Sequence, residues 1–94
     1  MATEAKKNYH HLERLVRGFS NHRRIETLEL LEKVPELSVV EIDGRLRINM
    51  KTASEHLRRL AIAGLVLKRS EGASIRHKLT DRWLIILKFL RTLE

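Results

Sequence analysis

The chain predicts a mainly α-helical domain with one small β-hairpin, on three observations. Apolar residues recur at spacings of three and four over most of the length, the period of a helix with one buried face. From Leu65 to Leu79 the period drops to two on either side of a stretch containing Gly72, the pattern of a hairpin. Between Leu37 and Val66, in LSVVEIDGRLRINMKTASEHLRRLAIAGLV, two short amphipathic stretches flank a turn, each with its own capping residue.

Taking the elements in order, a first helix is predicted from about Glu4 to Arg17, with Leu12, Leu15, Val16 and Phe19 apolar and Gly18 as its stop. His10 and His11 are adjacent and so point in different directions, which argues against joint ligation of a metal. Ser20 and Asn21 offer the next N-cap. Ile25, Leu28, Leu30, Leu31 and Val34 then form a second amphipathic helix that Pro35 terminates. Glu29 and Glu32 lie near Arg and Lys at helical spacing and read as solvated pairs rather than catalytic acids.

The third helix starts at about Val39. Ser38 and Glu41 form a capping box, and Val39, Ile42 and Leu46 share a face. The turn falls at Arg47 and Ile48. Asn49 caps a fourth helix that runs to Ala63, where Gly64 supplies the left-handed stop. Ala53, Leu57, Leu60 and Ala61 line its packing face, while Lys51, Thr52, Glu55, Arg58 and Arg59 occupy the rest. In a helix-turn-helix the front of the second helix enters the major groove, so its first two turns need polar side chains, and Met50, Lys51, Thr52, Ser54 and Glu55 stand there. The bland alternative is an ordinary packed helical hairpin.

In the hairpin, Leu65 to Arg69 and Ile75 to Leu79 alternate about the stretch Ser70 to Ser74. Lys68, Arg69, Arg76 and Lys78 suit a wing on a phosphate backbone, although edge strands also carry cations to block edge-to-edge pairing. The last helix, with Asp81 as expected N-cap, reads RWLIILKFLRTLE. Trp83, Leu84, Ile85, Ile86, Leu87, Phe89, Leu90 and Leu93 leave almost no polar face, so a second copy is expected to cover part of it, with the first helix packed beside it.

Composition narrows the function. The 94 residues, 43% hydrophobic and 33% charged, suit one domain spanning 1–94 with a modest core. With no cysteine, disulfides, thiolate nucleophiles and cysteine-based metal sites are excluded. The polar start MATEAKKNYHH is no signal peptide, and no apolar run reaches the roughly eighteen residues of a membrane span, so a cytoplasmic protein without membrane partners is expected. The formal charge of +7 points to a polyanion such as nucleic acid. Residues 36–80 carry nine Lys or Arg against five acids, so the excess is greatest around the helix pair and hairpin.

With these elements in this order, the chain resembles the winged-helix DNA-binding regulators of the ArsR type over roughly Phe19 to Thr80. The resemblance rests on Ser20 to Leu31, on Leu37, Ser38, Val39, Glu41 and Ile42, and on Thr52, Ala53, Ser54, His56, Leu57, Leu60, Ala63, Gly64, Leu65 and Val66. It ends in the wing KRSEGASIRHKL. MarR-type proteins share the winged helix but are usually longer. Two departures stand out. Arg47 occupies a turn position that is usually Gly in the family, while Gly44 sits inside the short helix before it. Metal-sensing members use Cys near the front of the DNA-binding core, or Asp and His pairs on the last helix, and this chain has neither. His22, His56 and His77 lack ligand spacing, so neither a metal nor another cofactor is expected.

The resemblance implies a winged helix-turn-helix, with the helix-turn-helix at about 38–64, the wing at about 65–79 and a C-terminal helix at about 81–94. The implied function is a homodimeric transcriptional regulator of double-stranded DNA. Lys51, Thr52, Ser54 and Glu55 are expected on base edges, and Arg58, Arg59, Lys68, Arg69, Arg76 and Lys78 on phosphates. Leu12, Leu15, Trp83, Ile86, Leu87, Phe89, Leu90 and Leu93 are expected in the dimer interface. The alternative is a winged-helix module that binds a partner protein. An enzyme is disfavoured, because no nucleophile, paired acid or phosphate-cradling Gly loop is visible.

Overall fold

Short polar side chains set the starts of the first four helices. In the computed structural model, which describes residues 7–94, Asn8 caps α1 (Tyr9–Phe19) and Asn21 caps α2 (His22–Lys33). Ser38 caps α3 (Val39–Leu46) through a complete capping box, with Glu41 Oε1 accepting from Ser38 N–H at 3.0 Å. Asn49 caps α4 (Met50–Ile62) by accepting from Thr52 N–H at 2.8 Å. Each cap satisfies amide donors that the helix itself leaves unpaired. The hairpin pairs β1 (Val66–Glu71) with β2 (Ser74–Leu79), and α5 (Asp81–Thr92) follows.

The first helix departs from expectation at both ends. Lys7 and Asn8 precede it, so it starts at Tyr9, and Glu4 to Lys6 of the expected span lie outside the described residues. Gly18 does not stop it. Gly18 is a buried helical residue, and a Cβ there would overlap Cβ of Ala63, so this glycine lets α1 close on α4. The helix ends one residue later, after Phe19.

Between α3 and α4, Arg47 takes the left-handed conformation at φ 57°, the place where the resemblance implied glycine. A side chain there costs roughly 1 to 2 kcal/mol against the right-handed alternative, and the caps on either side hold the turn. Gly64, at φ 74°, provides the left-handed turn after α4.

The hairpin is tighter than its sequence suggests. Glu71 pairs with Ser74, which leaves a two-residue turn of Gly72 and Ala73, with Gly72 at φ 59°. On the other side of β2, His77 pairs with Leu37: His77 N–H donates to Leu37 O at 3.1 Å and Glu36 N–H to His77 O at 3.0 Å. The wing is thereby fastened to the start of α3.

Thr80, not Asp81, is the cap residue of α5, and its hydroxyl donates to Gly64 O at 2.6 Å instead of capping. Arg82 reaches Ala63 O at 2.9 Å, so two contacts pin the start of α5 to the end of α4. Leu28, Leu31, Ile42, Leu57, Leu60 and Leu65 form the centre of the core, with Trp83 and Leu87 entering from α5. No described helix is long and apolar enough to cross a membrane.

Candidate nucleic-acid interface

The turn at Arg47 and the cap at Asn49 fix where α4 begins. Its first turn therefore leaves the domain with Met50, Lys51 and Ser54 exposed and Thr52 half-buried. Ala53, Leu57 and Leu60 bury the opposite face. Among the described residues, Lys51 makes no ion pair. It projects a full positive charge at the front of the helix, where the macrodipole adds to it.

Glu55 behaves differently from the other expected base readers. It accepts from Arg58 Nε at 3.0 Å and Nη2 at 2.8 Å, and from Arg59 Nε at 3.1 Å. The hydrogen bond from Arg58, reinforced by the two positive charges, holds its carboxyl down to about 2. Glu55 is thus engaged in orienting two arginines and does not stand free at the front of the helix.

The wing divides its cations into two kinds. Lys68 and Lys78 are exposed and make no ion pair among the described residues. Arg69 and Arg76, expected on phosphates, are held by carboxylates of this chain. Arg69 contacts Glu36 at 2.6 Å and Glu71 at 3.0 Å, and Arg76 contacts Glu41 at 2.6 Å. Glu36 is presented by a left-handed turn at φ 63° directly after Pro35. Sequence reasoning missed Glu36 and Glu41 as wing partners, since they lie 33 and 35 residues from the arginines they hold. Such pairs leave no local signal.

Two histidines sit beside this surface in neutral-favouring surroundings. Burial, with the nearby charge of Arg24, pushes His56 below its ordinary value, and its Nδ1 lies 3.4 Å from Arg24 Nη1. His77 is buried, with Nδ1 at 2.9 Å from Leu37 O, and burial is the main reason its protonation is disfavoured. No group of three or more His, Asp or Glu side chains is placed to hold a metal ion among the described residues.

The expected dimer residues fall into three groups. Trp83 and Leu87, expected in the dimer interface, instead fill the core of their own domain and leave a partner almost no surface. Leu15, Ile86 and Leu90 are half-buried against that core. Leu12, Phe89 and Leu93 are exposed, and so is Ile85, which the sequence shows only as part of an apolar run. Ile85, Phe89 and Leu93 stand at i, i+4 and i+8, one stripe along α5. Within the chain, α1 forms its main seam with α4 rather than with α5.

No protein-family model and no curated protein matches the chain, and its likeness is to solved structures. HlyU from Vibrio cholerae is 30% identical, with 95% of this chain and 97% of that one covered at a TM-score of 0.77. The homodimeric winged helix-turn-helix DNA-binding domain of a possible ArsR-family transcriptional regulator from Mycobacterium bovis is 27% identical. That match covers 99% of this chain and 88% of the other at a TM-score of 0.79. An ArsR-like transcriptional regulator from Rhodococcus is 27% identical over 90% of this chain and 77% of its own, at a TM-score of 0.71. With its capped helix pair, its two-stranded wing and the last helix in the same places, the chain belongs to the family of HlyU and the ArsR-type winged helix-turn-helix transcriptional regulators.

Proposed function

We propose that the protein is a non-enzymatic, cytoplasmic regulator that binds specific duplex DNA as a homodimer. One observation carries this: the capped front of α4 projects Lys51, Thr52 and Ser54, while the wing offers exposed Lys68 and Lys78, which make no ion pair among the described residues. Lys51, Thr52 and Ser54 read base edges in the major groove, and the two wing lysines lie on phosphates. Glu55 keeps Arg58 and Arg59 in place, and Arg69 and Arg76 orient the wing.

The dimer is formed by the exposed stripe of Ile85, Phe89 and Leu93 on α5, with Leu12 and Val16 of α1 adding apolar surface. Large apolar side chains left in water forfeit about 1.5 to 3 kcal/mol of burial each. Two or three per subunit, doubled by an isologous contact, supply roughly 10 kcal/mol before association costs. Such a dimer sets two α4 helices about one DNA turn apart, roughly 34 Å. The Mycobacterium bovis domain is described as homodimeric, which supports a dimeric state for this chain.

Titration of a duplex at several salt concentrations tests the reading. The logarithm of affinity should fall against the logarithm of salt with a slope of roughly −5 to −10. Lys68→Gln or Lys78→Gln should flatten that slope by about one per lost contact, whereas Lys51→Ala or Thr52→Ala should erode discrimination between sequences. Undetectable duplex binding in low salt would leave the protein-interaction module as the reading.

A further inference from the structure

At the seam where Gly18 lets α1 close on α4, Arg14, Arg17, Gly18, Arg58, Arg59 and Ile62 line a cavity of about 280 Å³. We propose that this cup binds a phosphate-type oxyanion.

Four arginine side chains from two helices line it. The carboxylates that pair with them among the described residues are Glu13, at 3.0 Å from Arg17, and Glu55, shared by Arg58 and Arg59. Arg14 has no ion pair among the described residues, so the cup carries an excess of two positive charges. Next to it Arg24 donates to Arg17 O at 3.1 Å, its Nε is buried without a partner among the described residues, and its charge opposes that of Arg59. Like charges crowded in this way repel, and a bound anion relieves them. Guanidinium forks match phosphate oxygens in geometry as well as charge. Ile62, 65% exposed at the rim, adds an apolar wall that suits an ester body.

The position separates this cup from the base-reading end. Arg58 and Arg59 follow Lys51 and Thr52 by seven positions, about 10 Å along the axis of α4. Arg14 and Arg17 are turned 100° or more around α1 from Leu12 and Val16, at 100° per residue, so a second copy on that apolar face leaves the cup open. An occupant also competes with Glu55 for Arg58 and Arg59. That links the cup to the front of α4, since Glu55 stands one turn from Lys51.

The test is calorimetric titration of the full chain, free of DNA, with phenyl phosphate and with inorganic phosphate, beside a duplex titration of the same samples. Saturable binding of phenyl phosphate at one per chain is expected, and Arg14→Gln with Arg17→Gln should weaken it about tenfold or more. Both side chains are exposed, and the single Arg14→Gln variant serves if the double variant fails to fold. Unchanged duplex affinity in the variant assigns the cup to a free phosphate ester. Loss of duplex affinity, with no phenyl phosphate bound by the unaltered chain, assigns it to a DNA backbone phosphate. The proposal is overturned if the variant, folded as before, changes neither.

Discussion

Nη1 of Arg76, on the second strand of the wing, lies 2.6 Å from Oε1 of Glu41, the carboxylate that also closes the N-terminal cap of α3. One acid therefore starts a helix of the helix-turn-helix and sets the angle of the wing against it. Ser38 holds this carboxyl below its usual range first and Arg76 adds to the effect, so the brace persists well into mild acid. Glu41→Gln keeps a capping side chain but removes the charge. Its expected outcome is unchanged helix content, faster amide exchange in β1 and β2, and a few-fold loss of duplex affinity, read by exchange NMR and by titration.

Gly18→Ala should destabilise the protein although alanine is the better helix former. The overlap of the new Cβ with Ala63 costs about 1 to 3 kcal/mol, against roughly 1 kcal/mol gained from propensity. Urea unfolding should show a lower midpoint, and adding Ala63→Gly should recover part of the loss. A midpoint at or above that of the unaltered chain would show that α1 and α4 are not in contact at this point.

Stability should fall as the pH drops through about 6.5, and His77 should account for part of it. Burial lowers its folded pKa below the unfolded value near 6.5, so the unfolded chain takes up its proton first. The stabilisation is fully present above that unfolded value and is lost below it, until the pH passes the folded value. His56 has the same sign. Denaturation at pH 8 and pH 5.5 should therefore show a smaller difference in His77→Gln than in the unaltered chain, whatever the variant's absolute stability.

The parts legible in the sequence were those decided locally. Ser38, Glu41, Asn49 and Gly64 mark helix ends by chemistry within four residues of themselves, and each acts where the spacing placed it. Gly18 carries the same local signature as a helix stop, but its partner Ala63 is 45 positions away, and that packing decides its role. Thr80 and Asp81 are both good caps; the carbonyl of Gly64 takes the threonine hydroxyl, and only the fold brings them together. At the candidate site, exposed Lys51 and Lys68 follow from helix and strand period. The engagement of Arg69 by Glu36 and of Arg58 and Arg59 by Glu55 depends on which carboxylates the fold delivers. Along α5 a nearly unbroken apolar run could not say which residues face inward until Trp83 and Leu87 were seen in the core.

Phe89→Glu, alone or with Ile85→Glu, should convert the dimer to a soluble monomer and cost DNA affinity without altering α4. Both side chains are exposed in the single chain, at 52% and 71%, so the charge meets no core. Sedimentation at micromolar concentration reads the outcome. An unaltered chain that is already monomeric there would remove the α5 dimer from the account.

The most direct test of the whole account is selection from a random duplex library by the unaltered chain at near-physiological salt, followed by titration of the enriched sequence against a scrambled one. The expected result is an inverted repeat with half-sites about 10 to 10.5 base pairs apart, bound at least about a thousandfold more tightly than the scramble. No enriched sequence, or an enriched duplex bound no better than its scramble, would contradict sequence-specific binding by a dimer of this chain.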